Sequence, residues 1–225
     1  MNLFKKTKEL LMELWLDTCN ESTIQQAQKL GLLYGITTNP LILAKATTPP
    51  LVTLQKLLDL HPGPITAQVT AITAEEMIKQ AHKLHRLSSR LIIKIPTSLE
   101  GLSAIAHLTK EGISIMATII YDPFQALCAF QAGANYGALY VGRMEDNAIN
   151  PFGIIDTLQH YISTNKLPHK VIAASIRSKE QVLECIKRSA AFTIKEDIFA
   201  SLLKEHPLTL SNIQEFSSAL PNDWI

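Results

Sequence analysis

Short apolar runs alternate along the chain with longer stretches whose apolar residues recur at helical spacing. The runs cover residues 14–17, 35–38, 65–70, 90–95, 113–119, 136–141, 170–174 and 192–194. They are rich in Val, Ile and aromatics, and most lack polar alternation, as strands buried on both faces do. The pattern predicts helices over 22–30, 51–60, 73–87, 100–110, 123–132, 151–163, 178–189 and 196–203. Several carry end signals. Thr-Ala-Glu-Glu at residues 73–76 opens one as a capping box. Pro123 sits in a first turn, and Gly112 and Gly133 follow two helix ends.

Eight strand–helix units at this spacing predict an α/β fold, a closed (β/α)8 TIM barrel with an additional C-terminal helix over 211–220. The competing architecture is an open doubly wound sheet. That fold is expected to carry a glycine-rich nucleotide loop, and neither G-x-G-x-x-G nor G-x-x-x-x-G-K-[ST] occurs. The predicted organisation is a short N-terminal extension, 1–11, and one barrel domain over 12–225, with Met12 an alternative start. Trp224, close to the end of the chain, is expected to pack on the barrel's flank or on a neighbouring subunit.

The chain's 225 residues suit one such barrel, since these run to about 200–250 residues. Lys plus Arg number 21 against 20 Asp plus Glu, a balance without the basic stripe of a nucleic-acid binder. Cys19, Cys128 and Cys185 are widely spaced, so neither a disulfide scaffold nor a zinc knuckle is expected and a reducing, cytoplasmic setting is. No run of eighteen apolar residues predicts a membrane helix. The lysines and apolar residues at the start resemble a secretion signal only weakly, because Glu9 and Glu13 interrupt the run. Cys128 and Cys185 read as helix core, and His82 and His85 as surface residues without a third metal ligand nearby.

In such barrels the reacting groups sit at the C-terminal ends of the strands. The polar residues there are Asp17, Thr37, Thr38, Asn39, Gln68, Lys94, Thr118, Tyr140, Arg143, Ser175 and Arg177, drawn from seven strands. Lys94, within Arg-Leu-Ile-Ile-Lys-Ile-Pro, stands out. Burial lowers a lysine's pKa and frees the amine as a nucleophile; the plain alternative is a lysine that snorkels or pairs with an acid. Asp17 can move protons during C–C cleavage or cap the following helix, although Asn20 and Ser22 fit that cap better. Asn39 can hold a substrate hydroxyl or simply make an Asn-Pro turn. Gln68 needs partners for a buried amide. Thr118 and Tyr140 can hold a water for proton transfer or be satisfied core hydroxyls. Arg143, Ser175 and Arg177 together suggest an oxyanion site, whereas each arginine alone would be a surface ion pair.

With these pieces set out, the chain resembles the small transaldolase family, which includes the bacterial fructose-6-phosphate aldolases. The pieces are LWLDT, GITTNP, AQVTA followed by TAEEM, IIKIP, EGLSAI, YVGRMED, AASIR and a terminal DW, in order from Met12 to Trp224. The resemblance implies a (β/α)8 barrel with the Schiff-base lysine at Lys94, the first-strand aspartate at Asp17, the TTNP asparagine at Asn39 beside Thr38, and the fifth-strand threonine at Thr118. It implies phosphate contacts from Arg143 and Ser175, and in transaldolases from Arg177. It implies no metal, no organic cofactor, sugar phosphate substrates, a place in the pentose phosphate pathway, and a homo-oligomer, a pentamer or decamer with C-terminal helices reaching onto neighbours.

Two subtypes are mixed here. Gln68, where true transaldolases of this size carry glutamate, and Tyr140, where they tend to carry phenylalanine, resemble the aldolases. Gly142-Arg143-Met144 and Ser175-Ile176-Arg177 resemble the transaldolases. The inner pair surrounds the Schiff base, so the expectation is an aldolase that cleaves fructose 6-phosphate to dihydroxyacetone and glyceraldehyde 3-phosphate. The alternative is a transaldolase that passes a dihydroxyacetone unit between sugar phosphates. Ala117, Leu139 and Lys195 depart from the family pattern, Lys195 at the expected pocket rim. A metal-dependent lyase and a non-catalytic barrel are the readings from other classes.

Overall fold

The computed structural model describes residues 12–188 and 190–219. The expected extension over 1–11, the last residue of the 211–220 helix and Trp224 lie outside the described residues. The eight strands are β1 (Leu14–Asp17), β2 (Gly35–Thr37), β3 (Ile65–Gln68), β4 (Leu91–Pro96), β5 (Ile115–Ile120), β6 (Tyr136–Tyr140), β7 (Lys170–Ala174) and β8 (Ala191–Ile194). They form a closed barrel in chain order, with β1 hydrogen-bonded to β8 in parallel. The open-sheet alternative is therefore excluded.

The helices are α1 (Glu21–Lys29), α2 (Pro40–Ala44), α3 (Pro50–Leu60), α4 (Ala74–Leu87), α5 (Leu99–Leu108), α6 (Pro123–Gln131), α7 (Val141–Asp146), α8 (Pro151–Thr164), α9 (Lys179–Lys187), α10 (Glu196–Leu202) and α11 (Pro207–Ala219). Thr73 caps α4 by accepting from Glu76 N at 3.4 Å. Asn20 caps α1, which leaves Asp17 free of that duty. The apolar pattern does not predict α2 and α7, because both are too short to show a period. Asn39 and Pro40 account for α2: the asparagine accepts from Leu41 N and Ile42 N, both at 3.0 Å, and the proline occupies the first turn. The terminal helix starts at Pro207, four residues before the sequence pattern places it.

The strands alternate more than their sequences suggest. In β1, Leu14 and Leu16 join the core beneath the helices, while Trp15 joins a second cluster inside the barrel. That inner cluster holds Trp15, Ile92, Met116, Ala138, Ile172, Ala174 and Ala191. Two residues further along their strands come Asp17, Lys94, Thr118, Tyr140 and Thr193, which the period of two puts on the same inner face. The barrel interior is thus an apolar floor under a polar layer. Trp15 is fully buried and stacks at a tilt on Tyr34, 5.2 Å between ring centres. Gly35 makes room for it, since a Cβ there would lie 2.5 Å from Trp15 Cε3 and 2.8 Å from Pro64 O.

Two sequence expectations need correction. Cys128 lies on the exposed side of α6, and only Cys185 is core. His82 and His85 are not simply surface residues: His82 is half-buried and meets Glu111 at 2.7 Å, and His85 Nδ1 is buried without a partner among the described residues. Glu111 also takes His107 at 3.0 Å, tying α4 to the end of α5.

Substituting Gly35→Ala should cost roughly 2–3 kcal/mol, because the added methyl meets a fixed indole and a backbone oxygen. Urea unfolding of the variant against the parent measures this; an unchanged midpoint would show that the barrel floor can yield.

Candidate active site

Above the apolar floor lies a pocket of about 680 Å³ at the C-terminal ends of the strands, lined by Asp17, Asn39, Gln68, Lys94, Tyr140, Arg143, Ser175 and Thr193 among others. Lys94 is its deepest charged group, 5% exposed. Its Nζ donates to Thr38 O at 3.0 Å. Loss of water around the ammonium pushes the Lys94 pKa below the ordinary lysine value, and the charge of Asp17 pulls partly the other way. The result favours a free amine more than an exposed lysine would.

Asp17 is held by a relay of hydroxyls. Thr37 Oγ1 donates to Asp17 Oδ1 at 2.8 Å and lies 2.6 Å from Thr193 Oγ1. A hydroxyl has one proton to give, so the Thr193 hydroxyl is the donor in that second contact. Gln68 pairs in register with Lys94, which sets both side chains on the inner face. Its Oε1 is buried and has no hydrogen-bond partner among the described residues. Such an atom is costly unless a water or ligand meets it.

Opposite Gln68, Thr118 Oγ1 donates to Tyr140 Oη at 3.3 Å. Thr118 is fully buried and does not line the pocket, so it acts on the pocket through the phenol. Burial pushes the Tyr140 pKa up, against the lowering effects of Thr118 and Arg143, so the ring stays a neutral phenol able to donate or accept. The Arg143 guanidinium lies over it, 5.0 Å from the ring centre. The fifth strand reaches this layer by way of an irregularity between Ala117 and Ile120, where Ile119 takes a left-handed φ of 63° and joins the lining.

Three expectations change in detail. Thr38 does not turn its side chain to the pocket: its hydroxyl donates to Thr66 O at 2.6 Å, and its carbonyl is what meets Lys94. Asn39 spends its oxygen on the α2 cap and lines the pocket, and its amide nitrogen has no hydrogen-bond partner among the described residues. Arg143 and Ser175 do line one side of the pocket. Arg177 does not: its guanidinium forms a two-pronged pair with Asp146, at 2.6 and 2.7 Å. Among residues that the motifs left out, Thr193 and Lys45 line the pocket, and Lys195 does so at the rim where the sequence departs. Thr193 was findable as the one polar residue of its strand, two past inward-facing Ala191. Lys45 was not, since its place depends on the unexpected α2. Glu196 closes the β1–β8 side by accepting from Thr18 Oγ1 at 2.6 Å and Asn20 Nδ2 at 2.9 Å.

Comparison with known proteins settles the class. A family model described as Transaldolase/Fructose-6-phosphate aldolase matches residues 14–223. The chain belongs to this family. A protein named "Probable transaldolase" from Symbiobacterium thermophilum is 35% identical over 214 residues, covering 95% of this chain and 97% of that one. Another of that name from Geobacter sulfurreducens is 37% identical, covering 95% and 98%. Among solved structures, a Burkholderia cenocepacia protein assigned as a phosphonomutase superposes with a TM-score of 0.57 at 12% identity, over 91% of this chain and 93% of that one; this shows a shared barrel and nothing more. Membership in the transaldolase/fructose-6-phosphate aldolase family makes the chain a class I aldolase or transaldolase enzyme, and sugar phosphates fit as its substrates. Among the described residues, no helix is long and apolar enough to cross a membrane, and no three His, Cys, Asp or Glu side chains come together to hold a metal ion.

The sign of the Lys94 shift makes a stability prediction. Below the ordinary lysine value of 10.5 the unfolded chain holds the proton more tightly than the native one, so native stability falls as pH drops below that value. Lys94→Met removes this penalty. Its gain over the parent should be largest near neutral pH and shrink towards pH 10.5. Urea unfolding of both proteins at two pH values checks it; a gain that grows with pH would contradict a depressed Lys94.

Proposed function

We propose that this enzyme is a fructose-6-phosphate aldolase that works through a Schiff base on Lys94. The observation that carries the reading is a buried amine with a free-base bias, flanked by a glutamine and a phenol rather than by a second carboxylate. Lys94 Nζ adds to the ketone of fructose 6-phosphate, and loss of water leaves an iminium. The C4 hydroxyl gives its proton to Asp17, the C3–C4 bond breaks, and its electron pair flows into the iminium to give an enamine. Glyceraldehyde 3-phosphate departs. The proton taken by Asp17 returns through a water to carbon C3 of the enamine, which restores the Asp17 carboxylate, and a second water hydrolyses the iminium to release dihydroxyacetone and the free lysine.

Gln68 and Tyr140 hold the water of these last steps, Thr118 orients the phenol, and Asn39 holds a sugar hydroxyl. The unpartnered Gln68 oxygen beside Lys94 supports a water there. Arg143 and Ser175 take the phosphate. Arg177 is not given a direct contact, because its fork is already filled by Asp146.

The second reading is a transaldolase, in which the same enamine attacks an acceptor aldehyde such as erythrose 4-phosphate. The names of the relatives favour it. The polar groups around the Schiff base favour release, since a glutamine cannot serve as the base that a glutamate would and a phenol can relay the proton that a phenylalanine cannot. The polar residues otherwise serve both reactions alike.

Borohydride added during turnover of fructose 6-phosphate should fix a reduced adduct on the peptide carrying Lys94. An active enzyme without that adduct overturns the mechanism. Lys94→Met should lower kcat at least about a thousandfold. Free dihydroxyacetone formed without any acceptor supports the aldolase, and strict dependence on erythrose 4-phosphate supports transfer. Tyr140→Phe should slow dihydroxyacetone release more than it slows transfer, read as the ratio of the two products with acceptor present; an unchanged ratio would remove Tyr140 from the release step.

A further inference from the structure

Arg143 and Ser175 reach the pocket from two separate pieces of chain. Arg143 rides on α7, a six-residue helix without a side-chain cap at its start. Ser175 follows β7 in a left-handed conformation, φ 60°, which a side chain seldom adopts unassisted. The sheet fixes the two pieces relative to each other only as far as Tyr140 and Ala174, the last pair of β6 and β7. The contacts between them are outside the pocket and are unusually complete.

Gly142 N donates to Ser175 O at 3.2 Å. A Cβ on Gly142 would fall 2.4 Å from that oxygen and 2.7 Å from Arg177 Nε, so the two backbones meet only because the residue is glycine. Gln181, on α9 and 8% exposed, then uses both ends of its amide. Its Oε1 accepts from Arg177 N at 2.6 Å, and its Nε2 donates to Glu145 Oε2 on α7 at 2.5 Å. Arg177 closes the set with its two-pronged pair to Asp146, also on α7. Neither Gln181 nor Arg177 lines the pocket.

We propose that Gln181, together with the Asp146–Arg177 pair, is a brace that locks α7 onto the β7–α9 loop and so makes Arg143 and Ser175 a single anion-binding edge. Gln181 and Arg177 are positioning residues. The proposal rests on the assignment of Arg143 and Ser175 to the substrate's phosphate. A buried amide satisfied at both ends is a stiff link, because releasing it strands the amide itself and the Arg177 backbone N–H, although the exposed Glu145 carboxylate can return to water. An anion site made of one guanidinium and one hydroxyl depends on their spacing, as bidentate recognition is geometrically strict.

The test measures the affinity of inorganic phosphate by titration calorimetry, and KM and kcat for fructose 6-phosphate and for unphosphorylated fructose. The full-length parent is compared with Arg143→Met, Gln181→Leu, Arg177→Met and Asp146→Asn. Gln181→Leu and Arg177→Met should each weaken inorganic phosphate about tenfold, and raise KM for the phosphorylated sugar by more than they lower kcat, while fructose is affected less. Asp146→Asn, an exposed and conservative change, should weaken phosphate in the same direction by a smaller factor, and it keeps the proposal open to test where Gln181→Leu does not fold. Unchanged phosphate affinity in Gln181→Leu overturns the brace. So does tighter phosphate binding in Asp146→Asn, which would mean that Arg177 is a ligand held back by Asp146. If instead Arg143→Met leaves phosphate affinity intact, it is the underlying anion site that fails, and the brace falls with it.

Discussion

Removing the Lys94 amine from water is the constraint around which the rest of the molecule is arranged. An ammonium at this depth loses hydration that no single neighbour returns. The closed barrel supplies the enclosure, the apolar floor of Trp15, Ile92 and Met116 keeps water out from below, and Thr38 offers one carbonyl at 3.0 Å rather than a carboxylate in contact. A carboxylate bonded directly to Nζ would stabilise the ammonium and quench the nucleophile. Asp17 remains in the same layer but is engaged by Thr37, so its charge is felt by Lys94 without a salt bridge between them. The hydroxyl relay through Thr193 is thus as much a means of holding the acid in place as of satisfying it.

Much of this was legible in the sequence because strands carry their own signal. All eight were readable from short apolar runs, and seven of them ended in the polar residues that now face one another. A lysine between isoleucines is conspicuous because its burial is expensive. What was not legible depends on contacts between distant segments. Thr38 looked like a substrate group from its motif, yet its hydroxyl is claimed by the backbone of β3. Arg177 looked like an anion ligand until Asp146, thirty-one positions earlier, filled its fork. The short α2 and α7 have too few residues to display a period, and Lys45 and the brace around Gln181 depend on them. Cys128 shows the reverse error: an apolar-looking helix position whose face could be known only once α6 was packed.

The polar layer has two parts with different tolerances. Around Lys94, the amide of Gln68, the phenol of Tyr140 and the hydroxyl of Thr118 contribute proton donors and acceptors, so small changes of residue type alter chemistry. Beside them, Arg143 and Ser175 contribute charge and shape, and there the spacing of two chain segments matters more than residue type alone. The family resemblance divides along the same line, with aldolase-like residues in the first part and transaldolase-like residues in the second. The two parts meet at the end of β6, where the Arg143 guanidinium lies over the Tyr140 ring.

On five of the eight strands the inner face carries an apolar residue and, two positions later, a polar one: Trp15 and Asp17, Ile92 and Lys94, Met116 and Thr118, Ala138 and Tyr140, Ala191 and Thr193. This spacing makes the barrel intolerant of a particular kind of genetic change. Deleting one codon within β4 would turn Lys94 outward into the core beneath the helices, and deleting two would lower it into the floor. Neither lesion can be repaired by substitution elsewhere, because every other strand keeps its own phase. Insertions in the connections above the strands leave that phase untouched, so the lineage of this enzyme can vary its rim far more freely than the length of any strand.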